Sequence, residues 1–213
     1  MAPRFIGRAN VRKRLEPLDG TPGRTVYAGG EARIEAEGET IVARPTFGLR
    51  HEGEYDRVRV SPLLEEIEED HVVAALLVRL GGYAVGVFDG EQLVASKVGS
   101  RFVKNRHKKG GSSANRFRRR REEQANDLAR EAAEVAARVL GPWQERVEFV
   151  ALGGDRGAIE AVLAERADLA WLKERALPRL FTVPEPRLRV LEQLPYDLYA
   201  VGVDVERELL PDS

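Results

Sequence analysis

From Arg24 to Arg44 apolar and polar residues alternate in three short runs, TVYA, ARIEAE and TIVARP, separated by Gly29-Gly30 and Gly38. A period of two with glycine punctuation predicts a small meander of strands. Residues 45–57 read as loop. Ser61-Pro62 then opens LLEEIEE, with Ser61 as a candidate N-cap and Pro62 at the first helical position. Glu65, Glu66, Glu68, Glu69 and Asp70 read as a solvated face whose charge suits a helix start.

A stronger β pattern follows. HVVAALLVRL, YAVGVFDG and EQLVASKV are apolar runs joined by Gly81-Gly82 and Asp89-Gly90. Such two-residue connections favour hairpin turns, which predicts three antiparallel strands at about 72–80, 83–88 and 92–98. The period then changes. Phe117, Arg121, Ala125, Leu128, Ala132, Val135 and Val139 fall at helical spacing, predicting a helix over about 114–140 that Gly141-Pro142 stops. Arg121 interrupts the stripe, where its stem is expected to pack and its head to stay wet. VEFVAL (147–152) reads as a buried strand, and Gly153-Gly154-Asp155 turns into the helical GAIEAVLAERA. A glycine-rich turn of this kind can cradle phosphate, but it lacks the Lys-Ser/Thr pair and the dinucleotide glycine spacing, so it reads as an ordinary tight turn. A second helical stretch spans 168–177. RLFTV or RLRVL supplies one more strand, and YDLYAVGVDV is a further candidate.

The order predicts an α/β protein: a mixed sheet with flanking helices over 69–213, preceded by a small β-rich annex over 24–68. Residues 1–23 mix five basic side chains (Arg4, Arg8, Arg12, Lys13, Arg14) with prolines and read as a flexible basic tail; the other reading is an RNA-touching arm. At 43% hydrophobic and 32% charged the composition suits a globular fold. The absence of cysteine removes thiol nucleophiles and thiolate metal sites. His51, His71 and His107 lie far apart without metal-ligand spacing. No apolar run is of signal-peptide or membrane-spanning type, which predicts a cytoplasmic protein. No long heptad seam appears, leaving a monomer as the default expectation.

Charge changes the picture most. The chain holds 34 basic and 35 acidic residues, yet eleven Lys or Arg and no acid fall between Lys97 and Arg121. The remainder holds 23 basic against 35 acidic, a net of about −12. A cationic segment on an acidic body attracts a polyanion and gains by releasing its counterions. Gly110-Gly111-Ser112-Ser113 sits in its middle, four small residues that permit close backbone approach. Phe102 and Phe117 flank it as candidate anchors or stacking groups. The expectation is a mobile tip, at about 98–115, on a rigid stalk that orders on RNA. No G-x-S-x-G elbow, P-loop or HExxH motif is present, and Asp89 and Asp155 fall in turns that assemble no two-metal site.

VGSRFVKNRHKKGGSSANRFRRRREEQ, preceded by LLVRLGGYAVGVFDGEQLVASK, resembles the release-factor-like peptidyl-tRNA hydrolases of actinobacteria and chloroflexi. These are kin to the eukaryotic ribosome-quality-control hydrolase that carries ankyrin repeats and a zinc finger. Both resemble the middle domain of the eukaryotic and archaeal termination factor. The resemblance spans about residues 70–190 and is most specific from Val98 to Gln124. It implies a ribonuclease-H-like core whose loop enters the peptidyl-transferase centre, where backbone groups and a glutamine side chain place water at the ester of peptidyl-tRNA.

The family pattern runs approximately Gly-Gly-Trp-Ser-Gln-Gln-Arg-Phe. The chain matches it at Gly110, Gly111, Ser113, Arg116 and Phe117, while Ser112, Ala114 and Asn115 stand where tryptophan and two glutamines are expected. Asn115 keeps an amide one methylene shorter, and Gln124 lies too far into the helix to replace it. The resemblance thus gives Gly110, Gly111, Ser112, Ser113 and Asn115 as catalytic candidates. Lys97, Arg101, Lys104, Arg106, His107, Lys108, Lys109, Arg116, Arg118, Arg119, Arg120 and Arg121 are the candidates for RNA contact. It implies no metal or organic cofactor, and as partners the rRNA of the large ribosomal subunit and peptidyl-tRNA. The alternative is a non-catalytic factor that occupies the peptidyl-transferase centre.

Overall fold

The computed structural model describes residues 4–100 and 113–207, with residues 113–118 and 207 by backbone alone. The chain divides into two compact units, residues 1–69 with 196–213, and residues 70–195.

In the first unit the alternating runs form the expected meander, β2 (Arg24–Ala28), β3 (Glu31–Ala36) and β4 (Glu39–Pro45). A short strand, β5 (Gly53–Tyr55), lies within the stretch expected as loop and pairs with β2. Two strands from the ends of the chain complete an antiparallel sheet, β1 (Arg4–Gly7) and β10 (Ala200–Arg207), in the order β1-β10-β4-β3-β2-β5. The flexible tail expected over 1–23 is therefore corrected for residues 4–18. Beyond β1 these residues form α1 (Arg8–Leu15) and a 3-10 turn at Glu16–Leu18. Val11 and Leu15, one helical turn apart, are each 1% exposed, and the cations around them hid this two-residue stripe.

One face of the sheet buries Tyr27, Ile34, Ile41 and Val201 against Val11, Leu15 and Leu63. The buried Tyr27 hydroxyl donates to the Arg59 carbonyl at 2.7 Å, and burial pushes its ionisation above the usual range. The opposite face is laced with charge, Arg44 reaching Glu31 and Asp204 at 2.6 Å each. Helix α2 (Ser61–Glu66) has Val60 rather than Ser61 at its N-cap, with Ser61 and Pro62 inside the first turn.

The second unit holds the expected hairpins, β6 (Val72–Arg79), β7 (Gly82–Asp89) and β8 (Gln92–Ser100), followed later by β9 (Phe149–Gly154). The sheet order is β8-β7-β6-β9; the first three strands are antiparallel and β9 runs parallel to β6. This is the mixed α/β sheet with flanking helices that the element order predicts. Every residue from Val73 to Val78 is buried, as a strand covered on both faces requires. On one face α3 (Ser113–Leu140) sets Leu128, Ala132, Ala136 and Leu140 into a cluster with Leu76, Val78, Val85 and Val87. That cluster also takes in Ile159 and Val162 of α4 (Arg156–Ala164) and Trp171 and Leu172 of α5 (Ala170–Glu174). On the other face Gly86 leaves room for Leu191 of α6 (Leu188–Leu198), whose methyls lie 3.3 and 3.4 Å from where a Cβ would stand.

Three expectations beyond β9 change. RLRVL opens α6 instead of a strand, because Leu188, Leu191, Leu194 and Leu198 recur at helical spacing and the last three are buried. RLFTV contributes one parallel bridge, Phe181 to Gly153, which with Ala176 to Val150 runs the chain beside β9. YDLYAVGVDV splits between the end of α6 and β10, so the domain expected over 69–213 gives its last strand to the first sheet.

Candidate nucleic-acid interface

The basic segment leaves the second sheet at Ser100, the last residue of β8, paired with Gly82 at the start of β7. It re-enters the described chain at Ser113, where α3 begins. Gly99 and Tyr83 are register partners, and a Cβ on Gly99 would lie 2.3–2.5 Å from the Tyr83 ring and hydroxyl. Only glycine lets that ring lie across the strand. Tyr83 is 1% exposed, and its hydroxyl donates to Glu131 Oε1 of α3 at 3.0 Å. A strand and a helix are thereby tied together at the root of the segment.

Helix α3 changes character along its length. Its continuous buried face begins at Leu128; among residues 119–127 only Gln124 is even half-buried. The fifteen residues before Leu128 span about 22 Å at 1.5 Å per residue. Arg119, Arg120 and Arg121 are exposed there. The Arg121 stem is therefore not packed as expected, and Ala125 is also exposed, because the sheet beneath the stripe ends before it. Lys97 is exposed on β8, the edge strand of the sheet.

The candidate residues divide accordingly. Arg101, Lys104, Arg106, His107, Lys108, Lys109, Gly110, Gly111 and Ser112 lie outside the described residues, and with them the expected mobile tip. Ser113, expected in the loop, and Asn115, where the expected loop and the expected helix overlap, occupy the first turn of α3, followed by Arg116 and Arg118. Lys97 and Arg119 to Arg121 are placed on the surface. The sequence reading missed Gly99, Tyr83 and Glu131. A glycine late in a strand, opposite an aromatic in the neighbouring one, was the available signal.

The second glycine-rich turn has a packing role. A Cβ on Gly154, where φ is +103°, would meet the Val78 carbonyl oxygen at 2.1 Å, and one on Gly153 would meet Leu77 at 2.7 Å. Asp155 then caps α4 by accepting from the Ala158 N–H at 3.1 Å. Among the described residues no group of three or more His, Asp or Glu could hold a metal ion, and no helix is long and apolar enough to cross a membrane.

A mixed sheet that delivers a basic, glycine-centred segment into a long helix is the architecture expected of a release-factor-like domain. Residues 71–204 match the model of the actinobacteria/chloroflexi VLRF1 release factor, and the chain belongs to that family. Among solved structures it is similar to the archaeal translation termination factor aRF1, at 20% identity and a TM-score of 0.45 over 91% of this chain. It is also similar to the Vms1 mitochondrial localization core, at 12% identity and a TM-score of 0.46, over 96% of this chain and 82% of that one. The chain spans 55% of the length of the archaeal factor. No curated protein sequence matches it.

Proposed function

We propose that the chain binds the large ribosomal subunit and hydrolyses the ester of peptidyl-tRNA on stalled or split subunits. Membership of the release-factor family across residues 71–204, which include the whole basic segment, carries this reading. In the proposed reaction one water adds to the ester carbonyl and the bond to the tRNA ribose oxygen breaks. The peptide leaves as its acid, and the tRNA keeps the hydroxyl. The Gly110-to-Asn115 segment, its glycines permitting close backbone approach, positions that water, and the flanking Lys and Arg side chains hold rRNA or tRNA phosphates. The protein acts in the cytoplasm as a monomer without a cofactor.

One observation favours a second reading. Asn115 stands where the family pattern has the longer glutamine, so the chain would occupy the peptidyl-transferase centre without hydrolysis. Release of labelled peptide from a purified 50S–peptidyl-tRNA complex separates the two. Release by the intact protein that disappears in Gly110→Ala/Gly111→Ala, with binding kept, supports the hydrolase. Tight binding without release, and activity gained by Asn115→Gln, supports the plug. Failure to bind 50S subunits at low salt overturns both.

A further inference from the structure

We infer that Arg79, Arg156 and Arg189 form a second phosphate-binding rim around the root of the basic segment, gripping RNA backbone beside the contacts made by the segment itself. The inference rests on the ribosomal reading for the identity of the RNA, and on the following geometry for the site.

Three stretches of chain converge on Gly82. A Cβ there would stand 3.2 Å from the Gly99 carbonyl oxygen, 3.7 Å from the Pro186 carbonyl oxygen and 3.8 Å from the Ser100 Cα. The hairpin tip between β6 and β7, the last residues of β8 and the approach to α6 thus meet where the basic segment departs. Arg79 ends β6 as the register partner of Gly82. Arg156 follows two residues after Gly154, whose Cβ position lies 3.0 Å from the Arg79 Cγ. Arg189 comes three residues after Pro186. All three arginines are exposed, and Leu80 at the hairpin tip is 60% exposed.

Their charge is uncompensated. Several other arginines of this unit meet carboxylates: Arg130 faces Asp127 and Glu165, Arg146 faces Asp89, and Arg166 faces Asp168. Arg79 instead donates to the Val183 carbonyl at 2.8 Å, which directs its guanidinium without neutralising it. Among the described residues Arg156 and Arg189 form no ion pair. Of the acids close by in sequence, Asp155 caps α4 and Glu185 is held by Arg187 at 2.6 Å, while the exposed Glu160 and Glu192, one helical turn beyond Arg156 and Arg189, form no ion pair with them. Three guanidiniums without a carboxylate partner, carried by stretches that meet where the basic segment leaves the sheet, suit phosphate oxygens, which accept from the planar fork. The exposed apolar side chains of these stretches, Leu80 at 60% and Leu188 at 44%, directly follow Arg79 and precede Arg189 in sequence, so the surface they share is interrupted by charge, unlike the apolar core of a protein interface.

The test measures affinity for purified 50S subunits, and for a double-stranded RNA of about 30 base pairs, as salt rises from about 50 to 300 mM. Arg79→Gln/Arg156→Gln/Arg189→Gln is compared with the intact protein and with Lys108→Gln/Lys109→Gln. Each lost phosphate contact lowers the slope of log affinity against log salt by about 1, so the triple variant is expected to lower it by about 3. Arg156→Gln/Arg189→Gln, which removes no internal bond, is expected to lower it by about 2. Thermal unfolding checks that each variant is folded. An unchanged slope in that pair, while the Lys108/Lys109 variant loses slope, overturns the rim and leaves the proposed function standing. Weaker 50S binding at unchanged slope means that the rim meets protein, which also overturns it. If the intact protein binds the duplex but not 50S subunits, the ribosomal reading falls and the rim is judged on the duplex alone. Binding to neither overturns both.

Discussion

The two halves of α3 obey different rules although one backbone carries them. From Leu128 to Leu140 the helix sets Leu128, Ala129, Ala132, Ala133, Val135, Ala136 and Leu140 against the sheet, all at 6% exposure or less. Small residues dominate that face, so the helix lies close to the strands. Over residues 119–127 the same helix runs before that buried face begins, with Arg119, Arg120 and Arg121 in solvent. The first half is stabilised by the hydrogen-bonding of a helix that the second half has already nucleated, because propagation costs far less than nucleation. A protein can in this way extend a highly charged rod, about 13 Å over residues 119–127, without building a core beneath it.

Substitutions can separate the halves. Ala132→Glu places a carboxylate at a fully buried site among Leu76, Val85 and Leu140. It is expected to cost about 4 kcal/mol or more, and a large drop in melting temperature checks it. Leu128→Ala, at the first well-buried position, is expected to cost about 2–4 kcal/mol in urea unfolding. Tyr83→Phe keeps the ring over Gly99 but removes the hydroxyl that Glu131 accepts. A loss of about 1 kcal/mol is expected; Glu131→Gln, which still accepts that bond, should retain most of the stability. Arg119→Gln/Arg120→Gln/Arg121→Gln should change stability by less than about 0.5 kcal/mol. The same triple change should lower the salt slope of 50S binding by about 3. If the arginine variant unfolds as readily as Leu128→Ala, the division within α3 is wrong.

The sequence made this division only half legible. The apolar stripe read from Phe117 to Val139 continues through both halves, because Ala125 keeps the spacing while lying in solvent. Periodicity reports which residues share a helix face, and says nothing of whether a sheet lies under it. The hairpins of β6, β7 and β8 were legible because their turns carry Gly-Gly and Asp-Gly and their strands are runs of Val, Leu and Ala. Leu188 to Leu198 was misread because the window RLRVL alternates over its first four residues, too few to distinguish a strand from the start of a helix. Residues 4–18 were hidden by composition, since two buried side chains among five cations leave a weak pattern. The Tyr83–Glu131 bond joins residues 48 positions apart, and no local pattern encodes such a pairing. For the candidate site, charge concentration and the Gly-Gly pair made the basic segment plain. The rim of Arg79, Arg156 and Arg189 was not, because its members come from three separate stretches.

The placement of β10 has a consequence for biosynthesis. This strand lies between β1 and β4, and its Asp204 bonds to Arg44, 160 positions earlier. During translation the chain from Asp70 to Pro195 emerges with every partner of its sheet inside that one continuous stretch. The first sheet, by contrast, has a gap between β1 and β4 until residues 200–207 are released from the exit tunnel. Long-range strand pairing is slow, and it leaves edges open while it waits. A nascent chain with residues up to 195 released and 200–207 still in the tunnel would carry a finished second unit and an unfinished first one, with the inner edges of β1 and β4 exposed to aggregation or proteolysis. The order of synthesis thus couples completion of the first sheet to prior synthesis of the whole second unit.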